Sequence, residues 1–266
     1  METKGYTEDF QGKRVLVTGG SRGIGRGIAE ALLSYGAEVT IVGKNPSNIA
    51  SFSDAHPTAK SICVDLADWE ATTVALTKSC SDKHFHFLVN SAGVFTPDFF
   101  MTTTPANFQT TFATNVGAIF SVSQFVAKGM IEAGGGGGIV NISSIASSTF
   151  FPFVSVYAAS KAAVDRVTKA MAVELGPHGI RANSINCGTV NTDMGRSDGE
   201  FYAKNWGNAG LQRMISRTPL PGVCPEGNFM MGMDQVVESV LFLLSPRTAG
   251  ATTGQQLFVD NGYSVG

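Results

Sequence analysis

The sequence predicts a doubly wound α/β fold, a parallel sheet of about seven strands covered by helices on both faces. Two observations carry that expectation. Short runs rich in Val and Ile recur along the 266 residues, and segments of helical periodicity separate most of them. The strand runs are also continuously apolar, as strands buried on both faces of a parallel sheet are.

In chain order, RVLVTG (14–19) is the first strand and GRGIAEALLSYG (25–36) the first helix, followed by strands EVTIVG (38–43) and SICVDL (61–66). The helix WEATTVALTKSC (69–80) leads to the strand FHFLVNSAG (85–93), and a long helical pattern covers 107–133. The run Gly134 to Gly138 reads as a helix stop and turn before the strand GIVNISS (138–144). The helix VYAASKAAVDRVTKAMAVELG (156–176) precedes the last two strands, IRANSIN (180–186) and QQLFVD (255–260). Between those strands, 194–233 crowds Gly, Met, Pro and aromatics without a period, which reads as a substrate loop with short helices inside one domain of residues 1–266.

A net charge of −2 supplies no basic field for nucleic acid or anionic lipid, so neither is an expected partner. The polar N-terminus METKGYTEDF lacks the apolar core of a signal peptide, and no run of about 18 apolar residues occurs, so a cytoplasmic protein acting on a small molecule is expected. Cys63, Cys80, Cys187 and Cys224 are far apart and read as reduced thiols. His84 and His86 alternate along a strand with no Cys or acid at ligand spacing, so no metal is expected.

The first strand-to-helix turn, VLVTGGSRGIGRGIA, spaces Gly19, Gly23 and Gly25 as G-x-x-x-G-x-G. Glycines there let the backbone approach a pyrophosphate, whose charge then sits at a helix N-terminus. The loop residues Gly19, Ser21, Arg22, Gly23, Ile24 and Gly25 are thus candidate dinucleotide contacts in a Rossmann-type fold. The second strand ends in Gly43 and Lys44 with no acid to accept from ribose hydroxyls. With Arg22, Lys44 suits a ribose phosphate, so the expected cofactor is NADP(H). Asp65, with Leu66, closes the third strand where a carboxylate can accept from the adenine amino group. Farther on, SVYAASKAAV places Tyr157 and Lys161 four residues apart on one helix face. A cation beside a phenol favours the phenolate.

These residues resemble the short-chain dehydrogenase/reductase family over nearly the whole chain. NSAG (90–93) is similar to the family's N-N-A-G segment and brings in Asn90, Ala92 and Gly93 as cofactor contacts. Asn115 matches the Asn of the long central helix, and Ser144 precedes Tyr157 by thirteen residues, as the family's catalytic serine does. The resemblance implies that Tyr157 is the general acid and Lys161 its tuner and a ribose ligand. It further implies that Ser144 meets the carbonyl oxygen and Asn115 holds a relay water. CGTVNT (187–192) stands where the family has P-G-x-x-x-T, so Gly188, Val190 and Thr192 are the expected nicotinamide contacts and Cys187 replaces a proline.

Within the family, CVDLADWEA, ELGPHGIR, TDMG and TTGQQLFVD look most like the dicarbonyl/L-xylulose reductase branch. The resemblance points to an NADPH-dependent carbonyl reductase of small dicarbonyls, ketoses or apolar ketones. A hydroxysteroid dehydrogenase, a 3-oxoacyl reductase and an inactive cofactor-binding regulator are the alternatives. Phe95, Phe99, Phe100, Phe150, Phe151 and Phe153 are expected near the cleft, where they favour an apolar or dicarbonyl substrate over a bare sugar. Phe201, Tyr202 and Trp206 are expected to close over the substrate. Ala158, Ala159, Ala162, Ala163, Ala170 and Ala172 line one helix, and the family commonly assembles through it, so a homotetramer is expected.

Overall fold

The computed structural model describes residues 4–80, 84–220 and 230–265; Cys224 and the rest of 221–229 in the expected substrate loop lie outside them. Seven parallel strands form one sheet in the order β3-β2-β1-β4-β5-β6-β7. They are β1 Arg14–Thr18, β2 Glu38–Gly43, β3 Lys60–Cys63, β4 Phe87–Asn90, β5 Gly137–Ile142, β6 Ile180–Cys187 and β7 Gln256–Val259. Every expected strand is present, with its ends moved by a few residues.

Burial explains the unbroken apolar runs. Val15 and Val17 of β1 pack into a core covered by Ile28 and Leu32 of α2 (Gly23–Ser34) and by Val236, Val240 and Leu244 of α9 (Met233–Leu244). Leu16, one residue out of phase, joins the opposite core with Leu76 of α4 (Trp69–Cys80) and Val122, Val126 and Met130 of α6 (Ala118–Ala133). Successive side chains of a strand point to opposite faces, so a strand covered on both sides is apolar throughout. Besides α9, the structure adds α1 (Lys4–Phe10), α3 (Pro46–Ala55) and a one-turn α10 (Pro246–Ala249) to the helices read from the sequence.

The chain runs from β1 outward through β2 and β3, then crosses back to β4 on the other side of β1. Such a switch point opens a crevice at the strands' C-terminal ends, where ligands bind in open α/β sheets. Both halves of the site described below sit at that edge.

Two elements differ from the sequence reading. The helix expected over 107–133 is α5 (Pro105–Phe112), a π-helical turn over Ala113–Gly117, and α6. The 194–233 segment is not mainly a loop: α8 runs Asp193–Ser216 as two helical arms broken at Gly207, whose φ of 73° lies outside the helical region. Glycines at 195, 199, 207 and 210 and a short aromatic face hide the helical period in the sequence.

Candidate active site

The glycine loop joins β1 to α2 and brings backbone against backbone. Gly19 has φ 66°, and a Cβ there would lie 2.9 Å from Ala92. Thr18 fastens the two segments, its Oγ1 accepting from the amides of Ser91 and Ala92, each at 3.1 Å. A methyl group at Gly25 would fall 2.4 Å from the Gly19 carbonyl oxygen. Gly25→Ala therefore has to push the loop off the helix. We expect a loss of about 1–3 kcal/mol of stability and at least tenfold weaker dinucleotide binding, read by thermal melts and by quenching of intrinsic fluorescence on titration. Wild-type affinity in that variant would show that the close approach is dispensable.

A cleft of about 410 Å³ runs along the strand ends. Its β1–β3 side is lined by the glycine loop, Lys44, Asp65 and Leu66, and its β4–β6 side by Ala92, Gly93, Ser144, Tyr157, Lys161, Gly188, Val190 and Thr192. Lys44 Nζ lies 3.8 Å from Asp65 Oδ2, with both side chains about half exposed (58% and 53%). An acid thus does stand beside the cation, supplied by the neighbouring strand. A pair this exposed is weak, and Lys44 can exchange it for a phosphate. Asp65 Oδ1 also accepts from the Ala67 amide at 3.1 Å.

On the catalytic side, α7 (Ser155–Leu175) carries Tyr157 and Lys161. The ammonium lies 5.7 Å from the centre of the Tyr157 ring, and Phe95 meets that ring in a T-shaped pair at 4.8 Å between centroids. Lys161 Nζ donates to the Ile142 carbonyl at 2.8 Å. Burial pushes the Lys161 ammonium down from its ordinary value, against the upward pull of Cys187 and Asp165. Asp165, one turn further along α7, is buried and accepts from Ser184 and Asn186.

Ser144 lies two residues after β5, is buried, and accepts from the Ala146 amide at 3.1 Å. Asn186 steadies that turn by donating to Ser147 Oγ at 2.9 Å and to the Ser144 carbonyl at 3.4 Å. Cys187 also lines the cleft. Its thiol donates to the Ser143 carbonyl at 3.5 Å. Burial pushes that thiol up and outweighs the pull of Lys161, so it stays protonated at neutral pH and is a poor target for oxidation.

Asn115 and Asn90 are placed differently from the rest. Asn115 sits in the π-helical turn, where its Oδ1 accepts from the Val94 amide at 2.8 Å and its Nδ2 donates to the Val94 carbonyl and Ser160 Oγ, each at 3.0 Å. The extra residue of a π turn rotates this side chain onto the strand-end backbone. Asn115 is therefore behind the cleft wall; a Cβ on Gly93 would lie 3.4 Å from its Oδ1 and 3.6 Å from Lys161 Nζ. Asn90 does not reach the cleft either. Its Nδ2 donates to Ser123 Oγ at 3.0 Å and Asn141 Oδ1 at 2.8 Å, tying β4 to α6 and β5.

Three contributors were not singled out from the sequence: Thr18, which fastens the glycine loop; Ser160, the partner of Asn115; and Thr114. Thr114 lines the cleft, and its buried Oγ1 has no hydrogen-bond partner among the described residues. Thr18 directly precedes the glycine loop and Ser160 lies between Tyr157 and Lys161, so both stand inside recognisable patterns, whereas nothing in the sequence marks Thr114. Of the six expected phenylalanines, Phe95 and Phe151 line the cleft, Phe153 packs against Phe99 just outside it, and Phe100 and Phe150 project into solvent. Among the described residues no group of His, Cys, Asp and Glu is arranged to hold a metal ion.

A glycine loop at the switch point of a parallel sheet, facing a buried lysine beside a tyrosine and a serine, defines a dinucleotide-dependent oxidoreductase. A family model for short chain dehydrogenases matches residues 13–203, and the chain belongs to that family. It is 42% identical over 255 residues to an L-xylulose reductase of Mesocricetus auratus, covering 96% of this chain and 97% of that protein. It is 41% identical over 258 residues to the carbonyl reductase [NADPH] 2 of Sus scrofa, covering 96% and 98%. Among solved structures, a 7α-hydroxysteroid dehydrogenase complexed with NADH and 7-oxo glycochenodeoxycholic acid superposes with a TM-score of 0.83 at 29% identity, over 95% of this chain and 94% of that one.

Proposed function

We propose that the protein is an NADPH-dependent carbonyl reductase of small dicarbonyls, ketoses or apolar ketones. The observation that carries this reading is the convergence of Ser144, Tyr157 and Lys161 on one cleft with the glycine loop and two cations. The relatives named L-xylulose reductase and carbonyl reductase [NADPH] 2 support the substrate and cofactor classes. The glycine loop, the N-terminus of α2, Arg22 and Lys44 fit a phosphorylated dinucleotide, and Lys161 with Gly188, Val190 and Thr192 would hold its nicotinamide end. When bound, that cofactor supplies a hydride to the carbonyl carbon.

The chain's own residues handle the proton. Ser144 holds the carbonyl oxygen, and Tyr157 gives it the phenolic proton as negative charge develops. Lys161 lowers the cost of the phenolate left behind. Asn115 acts by fixing Val94 and the turn behind Lys161. The side chains of this machinery are all present, which argues against a regulator that kept the fold and lost the chemistry.

Consumption of NADPH with diacetyl, L-xylulose and an apolar ketone tests the reading, and no turnover with any of them would reject it. The two cations give a sharper test. Arg22→Ala with Lys44→Ala should raise KM for NADPH about tenfold to a hundredfold and leave KM for NADH within about threefold, because only a phosphate makes charge-assisted bonds to them. Equal losses for both cofactors would show that the cations do not select the phosphate.

We further place the protein in the cytoplasm and as a homotetramer. Among the described residues no helix is long and apolar enough to cross a membrane. On α7, Ala159, Ala170 and Val173 are exposed and available to a second copy, whereas Ala172 packs inside the subunit. Light scattering at micromolar concentration should give four times the mass of a 27.9 kDa chain; a monomer would reject the assembly.

A further inference from the structure

We propose that the carbonyl compound reduced here carries an apolar, ring-bearing substituent, that polyhydroxylated ketoses are poor substrates, and that Phe153 sets the outer wall for the ring. This deepens the reductase reading and rests on it. Beside Ser144 and Tyr157, the lining of the cleft includes Phe95, Ile145, Phe151, Val154 and Tyr202. Four of these five carry no polar side-chain atom. The Tyr202 hydroxyl is already committed to the Pro152 carbonyl at 3.1 Å.

A second tier of rings continues this surface outward. Phe153 meets Phe99 at 4.8 Å and Phe201 at 5.8 Å between centroids, and Tyr202 leads on to Trp206 at 6.0 Å. A ketose entering here would strip water from several hydroxyls and leave them against carbon, losing about tenfold or more in kcat/KM for each hydroxyl left unmatched. A ring entering here replaces water with aromatic surface on several sides.

The backbone supplies an independent observation. Phe153 has φ 66°, a left-handed conformation that is strained for a bulky side chain and that persists only where the surroundings enforce it. The surroundings are the ring contacts above and the Asp98 amide, which donates to the Phe153 carbonyl at 2.7 Å. Glycine would make the same turn without strain, so what this position adds is the ring itself, packed at 6.3 Å between centroids against Tyr202 of the cleft wall.

The test is kcat/KM with saturating NADPH for benzylacetone, butanone, diacetyl and L-xylulose. Benzylacetone should exceed L-xylulose by at least about a hundredfold and butanone by at least about tenfold. In Phe153→Gly the benzylacetone-to-butanone ratio should fall about tenfold, while kcat/KM for butanone, which carries no ring to meet that wall, stays within about threefold of wild type. An unchanged ratio would remove Phe153 from specificity. Reduction of L-xylulose within tenfold of benzylacetone, by an activity that Tyr157→Phe abolishes, would overturn the proposal and leave the reductase reading intact. Turnover of diacetyl alone would also overturn it, and no turnover with any of the four would reject the reductase reading itself.

Discussion

Tyr157→Phe should leave the fold and dinucleotide binding intact and lower kcat by about a hundredfold to ten-thousandfold. The substitution keeps the ring that forms a T-shaped pair with Phe95 and removes only the hydroxyl. Ser144 remains, but a serine hydroxyl held in a turn by the Ala146 amide is a far weaker acid than a phenol beside a buried ammonium. The loss should fall on kcat and kcat/KM alike, the mark of a contact made in the transition state. More than about a tenth of wild-type turnover, with unchanged cofactor affinity, would transfer the proton donor to Ser144 or to a water.

Different parts of this site were legible in the sequence to different degrees, for physical reasons. The β1–loop–α2 unit was plain because glycines punctuate it and only backbone geometry is involved. Tyr157 and Lys161 were plain because helix spacing and the family motif agree on them, and Ser144 because the family motif alone places it thirteen residues before the tyrosine. Asn90 looked like a cleft residue, yet strand parity points it elsewhere: Asn90 shares a face with Leu88, which is buried on the α6 side, and its amide bonds to Ser123 of α6.

Asp65 beside Lys44 was hidden for another reason. Their approach follows from the parallel pairing of β2 with β3, in which Gly43 opposes Cys63, and register is a tertiary fact. The π-helical turn around Asn115 was likewise invisible, since a single inserted residue leaves the apolar pattern of 107–133 nearly unchanged. The helix α8 was missed because its glycines lower helix propensity while its docking comes from Tyr202, Trp206 and the rings they meet. In each case the missing information is a contact between distant segments.

Lys161→Met should separate function from stability in opposite directions. Burial is the largest influence on Lys161 and lowers its pKa from the ordinary 10.5. Below that value the unfolded chain takes up a proton more readily than the folded one, so the cost to stability sets in as pH falls through the ordinary lysine range and persists at neutral pH. A neutral side chain of similar length escapes this cost, at the expense of the bond to the Ile142 carbonyl. The variant should therefore melt at the wild-type temperature or a few degrees above it at pH 7, with the gain shrinking above about pH 10.5. Its dinucleotide affinity should fall at least about tenfold and its turnover at least about a hundredfold, because the cation no longer serves the ribose or the phenol. Any residual alcohol oxidation should need a higher pH, since Tyr157 must then lose its proton without a neighbouring charge. A melting temperature several degrees below wild type at pH 7 would show that the ion and hydrogen bonds around Lys161 outweigh its burial.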